Sequence, residues 1–402
     1  MYNKGHKDGP FFLYLFLISH KRTFEITMLI KIFKIVVPVF LIVFAIMGCH
    51  EDQIDVRQNV NLPDNFYSFE YLPTELDKMS EFAAIGQIYD WLPKAHGGFG
   101  LKKPYSSPDI PVYAMADGVI YNIRYGTDIY GDFRVPDSLK GKYYDDFALH
   151  IYLSKTAEMH YGHLSRLAPE ILMEADNLVK NTTENDVAIN IKAGQIIAYI
   201  GIHPGFDIGF NDEKNLPYFA NPDRYHASYR SAIPFTDRLP QNLRDEIWKI
   251  NPRTVEPLGG KINYDVEGSV SGNWFLEGTK SLEEPGKILL IAYHERYADR
   301  ITIADGSPML VGSGNQNPGN QPNLWWIIGN DPAPENITMS SGKVKLNVAT
   351  WYKFRETDNN PPSEGTVMFE MIAVDKLKFE FFEGKLPHEI IDFSASVRIY
   401  ER

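Results

Sequence analysis

Between His96 and Phe210 this chain gathers side chains able to hold a metal ion or move a proton. His96, His160, His163 and His203 supply imidazoles, and Asp109 and Asp207 supply carboxylates. Metal-assisted hydrolysis asks for three protein ligands, an open position for water and a base nearby. Nitrogen and oxygen donors of this kind suit a zinc-like ion. Other chemistries lack their residues. Cys49 is the only cysteine, so neither a Cys-x-x-Cys metal pair nor an internal disulfide can form. No Gly-x-Ser-x-Gly elbow and no Gly-rich phosphate loop is present. Spacing then decides which groups converge. Alternate residues of a strand share a face. His160 and His163 are an odd number of residues apart, so a regular strand sends them to opposite sides.

The elements that must position these groups read as short antiparallel strands, not as a βαβ pattern. PVYAMADGVI (111–120) carries β-branched and aromatic residues around an Asp117-Gly118 turn. DDFALHIYL (145–153) and AEMHYGHLS (157–165) read as two strands joined at Ser154-Lys155-Thr156, and IKAGQIIAYIG (191–201) follows an Ala-Gly turn. Segments 126–144 and 167–188 interrupt them, the second partly helical. A polar, aromatic-rich connector follows Phe210. Within it LPQNLRDEIWKI (239–250) fits an amphipathic helix with Leu243, Ile247 and Trp248 on one stripe, ended by Asn251-Pro252.

Four blocks, in this order, resemble the lysostaphin/LytM-type zinc endopeptidases that cut peptidoglycan peptides: AHGGFG (95–100), PVYAMADGVI (111–120), HYGHLS (160–165) and IKAGQIIAYIG (191–201). The resemblance covers about a quarter of the chain. The resemblance implies an antiparallel β-sandwich of the duplicated hybrid motif type over residues 80–215. In that family a His and an Asp four residues later are the first metal ligands. A Tyr-x-His-Leu strand gives a catalytic His, and a closing His-x-His strand gives a second catalytic His and the third ligand. Carried over, His96 is the metal ligand and His163 the catalytic His. Gly100 stands where the family has Asp, and Asp207 and Gly209 stand where it has the two closing histidines. The resemblance therefore implies a degenerate member that binds peptidoglycan or a wall-hydrolase partner without cutting. No cofactor is expected, unless a zinc site is rebuilt from His96, Asp207 and one of Asp109 or His203. The alternative is an active zinc metalloendopeptidase with rearranged ligands.

Residues 259–402 read as a second, smaller all-β domain, a barrel or sandwich, beyond a connector over 216–258. Strands are expected at 272–279, 288–295, 299–306, 343–355, 365–374, 376–384 and 394–402, with turn signals at the spacing of such folds. Gly272-Asn273-Trp274 resembles the Gly-x-Trp of lipocalin-like barrels. Trp274 and the pair Trp325-Trp326 suit either barrel closure or ligand stacking.

The amino terminus reads as an export signal over residues 1–48. Met28 looks like the true start. Lys31 and Lys34 precede an apolar run from Ile35 to Ile46, and Ile46-Met47-Gly48-Cys49 has the form of a lipobox. Cys49 is then the lipidation site, residues 49–79 a lipidated tether, and the protein a membrane-anchored one of the cell envelope, periplasmic or at the cell surface. The removed segment holds six Lys/Arg against two Asp/Glu, so cleavage takes the net charge from −12 to −16. So acidic a chain is repelled by nucleic-acid phosphates.

Overall fold

In the strand Gly205–Asp212, Phe206, Ile208 and Phe210 are buried on one face, and Gly205, Asp207 and Gly209 take the other. That period of two is the rule by which the first half of the protein is built. The computed structural model describes residues 57, 60–88, 92–130, 135–279, 287–306, 323–350 and 361–402. Met28 and Cys49 lie outside the described residues. The chain from Val60 onward is mainly β.

A seven-stranded antiparallel sheet runs in the order β1 (Met79–Ala83), β2 (Gly97–Leu101), β10 (Gly205–Asp212), β6 (Ala157–Leu164), β5 (Tyr143–Tyr152), β4 (Gly118–Ile129) and β8 (Asp186–Ile191). A three-stranded sheet, β3 (Ile110–Tyr113), β9 (Ile196–Ile200) and β7 (Arg166–Leu167), covers its apolar face. Val112, Leu167, Ile197 and Ile200 from the small sheet share one core with Ile123, Leu149, Met159, Tyr161 and Ile208 from the large one. The insertion at 167–188 begins with helix α1 (Pro169–Glu174) and then supplies β8. Among the described residues no helix is long and apolar enough to cross a membrane.

The segment expected to be a tether does more than run over the surface. Phe69 is fully buried, its ring edge-on to Phe210 at 5.3 Å and to Phe235 at 6.5 Å. The connector returns across the same end of the sandwich through α2 (Ala227–Arg230) and α3 (Gln241–Trp248). The α3 side chain of Ile247 is fully buried, and Trp248 packs 6.0 Å from Phe82.

The C-terminal half is a closed eight-stranded barrel, β11 (Gly272–Leu276), β12 (Ile288–Tyr293), β13 (Ile301–Asp305), β14 (Asn323–Ile327), β15 (Val344–Thr350), β16 (Gly365–Ala373), β17 (Lys376–Glu383) and β18 (Arg398–Glu401). Each strand pairs with the next, and β18 closes on β11 through Phe275↔Glu401 and Leu276↔Tyr400. Closure removes every free edge, so the sheet presents no unpaired backbone row. The interior is packed with Leu289, Ile303, Val348, Phe369 and Phe379. Trp274 lies fully buried at the seam, donating Nε1–H to the Val270 carbonyl at 2.8 Å. The Arg402 guanidinium covers its ring at 3.9 Å and donates to the Ser271 and Val266 carbonyls. Such a cation–π contact is worth about 0.5–2 kcal/mol. Trp325 packs against Phe381 in a tilted pair at 4.6 Å inside the barrel, and Trp326 carries Arg300 on its outer side at 4.9 Å. These tryptophans therefore serve closure and packing.

Strands β11 to β13 are buried on both faces. Their outward side chains Phe275 and Ile288 pack against Phe219, Tyr225 and Ile85, and Leu290, Ala292 and Ala304 against Ile88 and Tyr264. The connector is thus an aromatic clamp joining sandwich to barrel. A fragment of residues 258–402 would expose Phe275 and Ile288, each worth about 1.5–3 kcal/mol of burial. The fragment 213–402, which keeps Phe219 and Tyr225, is expected to melt at least about 5 °C higher. Equal melting temperatures by scanning calorimetry would show that the clamp adds nothing to the barrel.

Candidate functional site

The outer face of the seven-stranded sheet is where the chemistry-bearing side chains meet. Three neighbouring strands, β2, β10 and β6, pair there with glycine at facing positions. Asp207 of β10 lies opposite Gly98 of β2 and Gly162 of β6. A Cβ added to Gly98 would come 3.3 Å from the Asp207 carboxylate, and one added to Gly162 would come 3.4 Å from the Asp207 Cβ. Asp207 therefore stands alone in a trough floored by backbone. Longer side chains reach it from both sides. His96, one residue before β2, places Nε2 3.3 Å from Asp207 Oδ2, and His163 places Nε2 3.5 Å from the same oxygen.

His163 reaches this face against the strand's own alternation. Ala157, Met159 and Tyr161 are buried toward the core, so the next residue of that parity should follow them. Instead His163 has φ of 58°, a left-handed conformation that is uncommon outside glycine. That turn brings its ring onto the outer face, against Asp207, the face on which His160 lies over Gly209. The expectation that the two histidines point to opposite sides is corrected here: the backbone at His163 breaks the regular strand on which it rested.

The other nitrogen of His163 continues the row. Nδ1 lies 3.4 Å from Oδ1 of Asp146 on β5, and the same oxygen lies 3.3 Å from Nε2 of His203 in the loop before β10. Imidazoles and carboxylates so alternate: His96, Asp207, His163, Asp146, His203. Asp146 and His203 have side chains only 6% and 5% exposed, whereas His163 is 41% exposed and opens the row to solvent. Oδ2 of Asp146 is held by the Arg124 guanidinium at 2.5 Å. Burial would push the Asp146 carboxyl up, but the two imidazoles beside it outweigh that and hold it well below the usual range. The Asp146 contact in turn raises His163.

Of the residues singled out in the sequence, His96, His163, Asp207 and His203 therefore come together. Asp109 does not: it is exposed on the stretch leading into β3. His203 also does not join His96 and Asp207 directly, because it sits at the far end of the row against Asp146. Sequence reasoning missed Asp146. The one signal was a pair of acidic residues, Asp145-Asp146, opening an otherwise apolar strand.

The resemblance implies two further ligand positions, at Gly100 and Gly209. His96 and Gly100 share a face by the period of two, but Gly100 offers no donor atom. At Gly209 the space is already filled. A Cβ there would lie 1.9 Å from Cε1 of His160, whose ring rests on the glycine between His96 and His150, each 5.7 Å away. With neither an Asp at 100 nor a His at 209, the residues present do not fit the family's zinc ion.

Two measurements probe this packing. Gly209→Ala forces the His160 ring to move and is expected to cost about 1–3 kcal/mol, a loss that His160→Ala in the double variant should largely relieve. Additive single effects in urea melts would show that the ring does not depend on the glycine. Burial also lowers His160 to about 3 from its ordinary 6.5, with His96 and His150 adding to the effect. Since the folded-state value is the lower one, the stability His160 contributes is complete above about 6.5 and is lost as the pH falls toward about 3. His160→Gln should flatten the melting-temperature profile across that window, and an unchanged slope would mean the imidazole is free to protonate in the fold.

No protein-family model and no curated protein matches this chain.

Proposed function

We propose that this chain is a lipid-anchored protein of the cell envelope whose sandwich is a non-cleaving relative of the lysostaphin/LytM-type peptidases, and that its cleft binds peptidoglycan peptides or a wall-hydrolase partner. The observation that carries the reading is the pair of glycines at 100 and 209, with the His160 ring lying in the space a ligand at 209 would need. Metal affinity rests on ligand number and geometry, and one imidazole at His96 does not hold a catalytic zinc there. His163 then has no water bound at that position to act upon. What persists is a trough lined by imidazoles, carboxylates and backbone, suited to hydrogen-bonding an extended peptide.

The membrane attachment in this reading rests on the lipobox at Ile46–Cys49. An anchored, acidic protein with a polar trough would hold its target near the membrane without altering it.

Purified protein is expected to leave wall peptides intact while co-sedimenting with isolated sacculi or retaining a wall hydrolase. Substituting the trough floor, Gly162→Val, should reduce that binding at least about tenfold, because a branched side chain beside Asp207 blocks the floor. Hydrolysis of wall peptides that is abolished by His96→Ala would overturn the non-cleaving reading in favour of a rearranged active peptidase. Failure to bind either target would overturn the binding role.

A further inference from the structure

The inner end of the row poses a problem of proton bookkeeping that the non-cleaving cleft does not answer. Three buried atoms converge there: Asp146 Oδ1 lies 3.4 Å from His163 Nδ1 and 3.3 Å from His203 Nε2, without a well-aligned hydrogen bond among the described residues. Buried polar atoms are normally satisfied by aligned partners. The neighbours show which way the lone pairs face. Tyr144 donates its hydroxyl proton to Asp128 Oδ2 at 3.0 Å, so at its 3.5 Å contact with His203 Nδ1 the phenol oxygen accepts. In the tautomer with the proton on Nδ1, His203 turns the lone pair of Nε2 toward the Asp146 carboxylate. His163 has a carboxylate at each nitrogen, Asp207 at Nε2 and Asp146 at Nδ1. A neutral imidazole has one N–H to give, so one of its lone pairs also faces an anion. Protonating both rings would crowd two imidazolium ions, centroids 4.7 Å apart, together with Arg124 around one carboxylate. One divalent cation between the three atoms resolves all of these conflicts with neutral imidazoles.

We propose that Asp146, His163 and His203 bind a divalent transition-metal ion of the zinc class. The three donor atoms all lie within 4.8 Å of one another. The two edges that meet at Asp146 Oδ1 are 3.3 Å to His203 Nε2 and 3.4 Å to His163 Nδ1. A tetrahedral zinc ion with bonds of about 2.0–2.1 Å sets its ligand atoms about 3.3–3.4 Å apart. Two imidazoles and one carboxylate are a donor set that such ions accept. Each ligand is also steadied at its far atom, as metal ligands require: Asp146 Oδ2 by Arg124, His203 Nδ1 by Tyr144, and His163 Nε2 by Asp207. Three protein donors leave a fourth position for water or a ligand's carboxylate, and His163, 41% exposed, opens the cluster to solvent. The site is separate from the position the peptidase resemblance implies, since it uses neither His96 nor residues 100 and 209. It does not rest on the non-cleaving reading.

The test is a Zn2+ titration of the full-length chain, stripped with chelator, by calorimetry, with Co2+ substitution followed by visible absorption. One ion per chain and the d–d bands of four-coordinate Co2+ are expected. Asp146→Asn and His203→Gln keep the side-chain shapes and should weaken Zn2+ binding by about 100-fold or more, whereas His96→Ala should change it by less than about threefold. Circular dichroism melts establish that each variant is folded, and zinc should raise the melting temperature of the wild type and of His96→Ala only. Three results would overturn the site: no binding by the folded wild type, affinity unchanged in both Asp146→Asn and His203→Gln, or affinity lost in His96→Ala.

Discussion

The close approach of β10 to its two neighbours is the constraint on which the cleft depends. Gly98, Gly162 and Gly209 clear the outer face of three adjacent strands around Asp207 and His160. Only on such a bare floor can Asp207 be reached by His96 from one side and His163 from the other. Only over a residue lacking Cβ can the His160 ring lie down. Glycine weakens a strand, since it packs nothing and has more freedom to lose on folding. The cost is met on the other face, where Phe99, Phe206, Ile208 and Phe210 are buried in the sandwich core. The same strands thus separate their tasks by parity: odd positions of β10 shape the cleft and even positions hold it in place.

How much of this was legible in the sequence depends on whether the deciding interaction was local. The mainly β class and the sandwich-then-barrel order were, because turn signals and apolar alternation are local. The hairpin of β5 and β6 formed where its polar turn at Ser154–Thr156 indicated, and the helix expected at 239–250 appears as Gln241–Trp248. Strand Gly97–Leu101 was not legible, because Gly-Gly-Phe-Gly has little strand propensity and is held by partners over a hundred residues away in β10. The direction of His163 was also hidden, since the parity argument fails at a single backbone angle set by tertiary structure. Asp146 was invisible for a related reason. An acidic residue on a strand is ordinarily solvated, and only the folded sheet places it between two imidazoles.

The barrel is tied to the cleft through chemistry of a different kind. Its inner face is apolar and closed by Trp274 under Arg402. Its outer face along β11 to β13 is apolar too, which in a free-standing barrel would be an exposed patch of a kind that soluble domains avoid. Phe219, Tyr225 and Tyr229 of the connector stack into one cluster over it, with Tyr225 and Tyr229 nearly parallel at 5.4 Å. The Tyr229 hydroxyl then donates to the Pro93 carbonyl at 2.7 Å, three residues from His96. The segment that delivers His96 to the cleft is accordingly braced by the element that covers the barrel.

This bracing is one of several contacts that hold the imidazoles of the cleft in line. Here the alignment is maintained by groups that have nothing to do with positions 100 and 209. Arg124 fixes Asp146, Tyr144 orients His203, and two carboxylates grip the two nitrogens of His163. Holding a side chain at left-handed φ on a strand costs of order 1–3 kcal/mol and persists only where the surroundings over-determine it. At His163 those surroundings are the two carboxylates. The arrangement therefore does not depend on positions 100 and 209, and Asp146, at its inner end, is more deeply buried than His96.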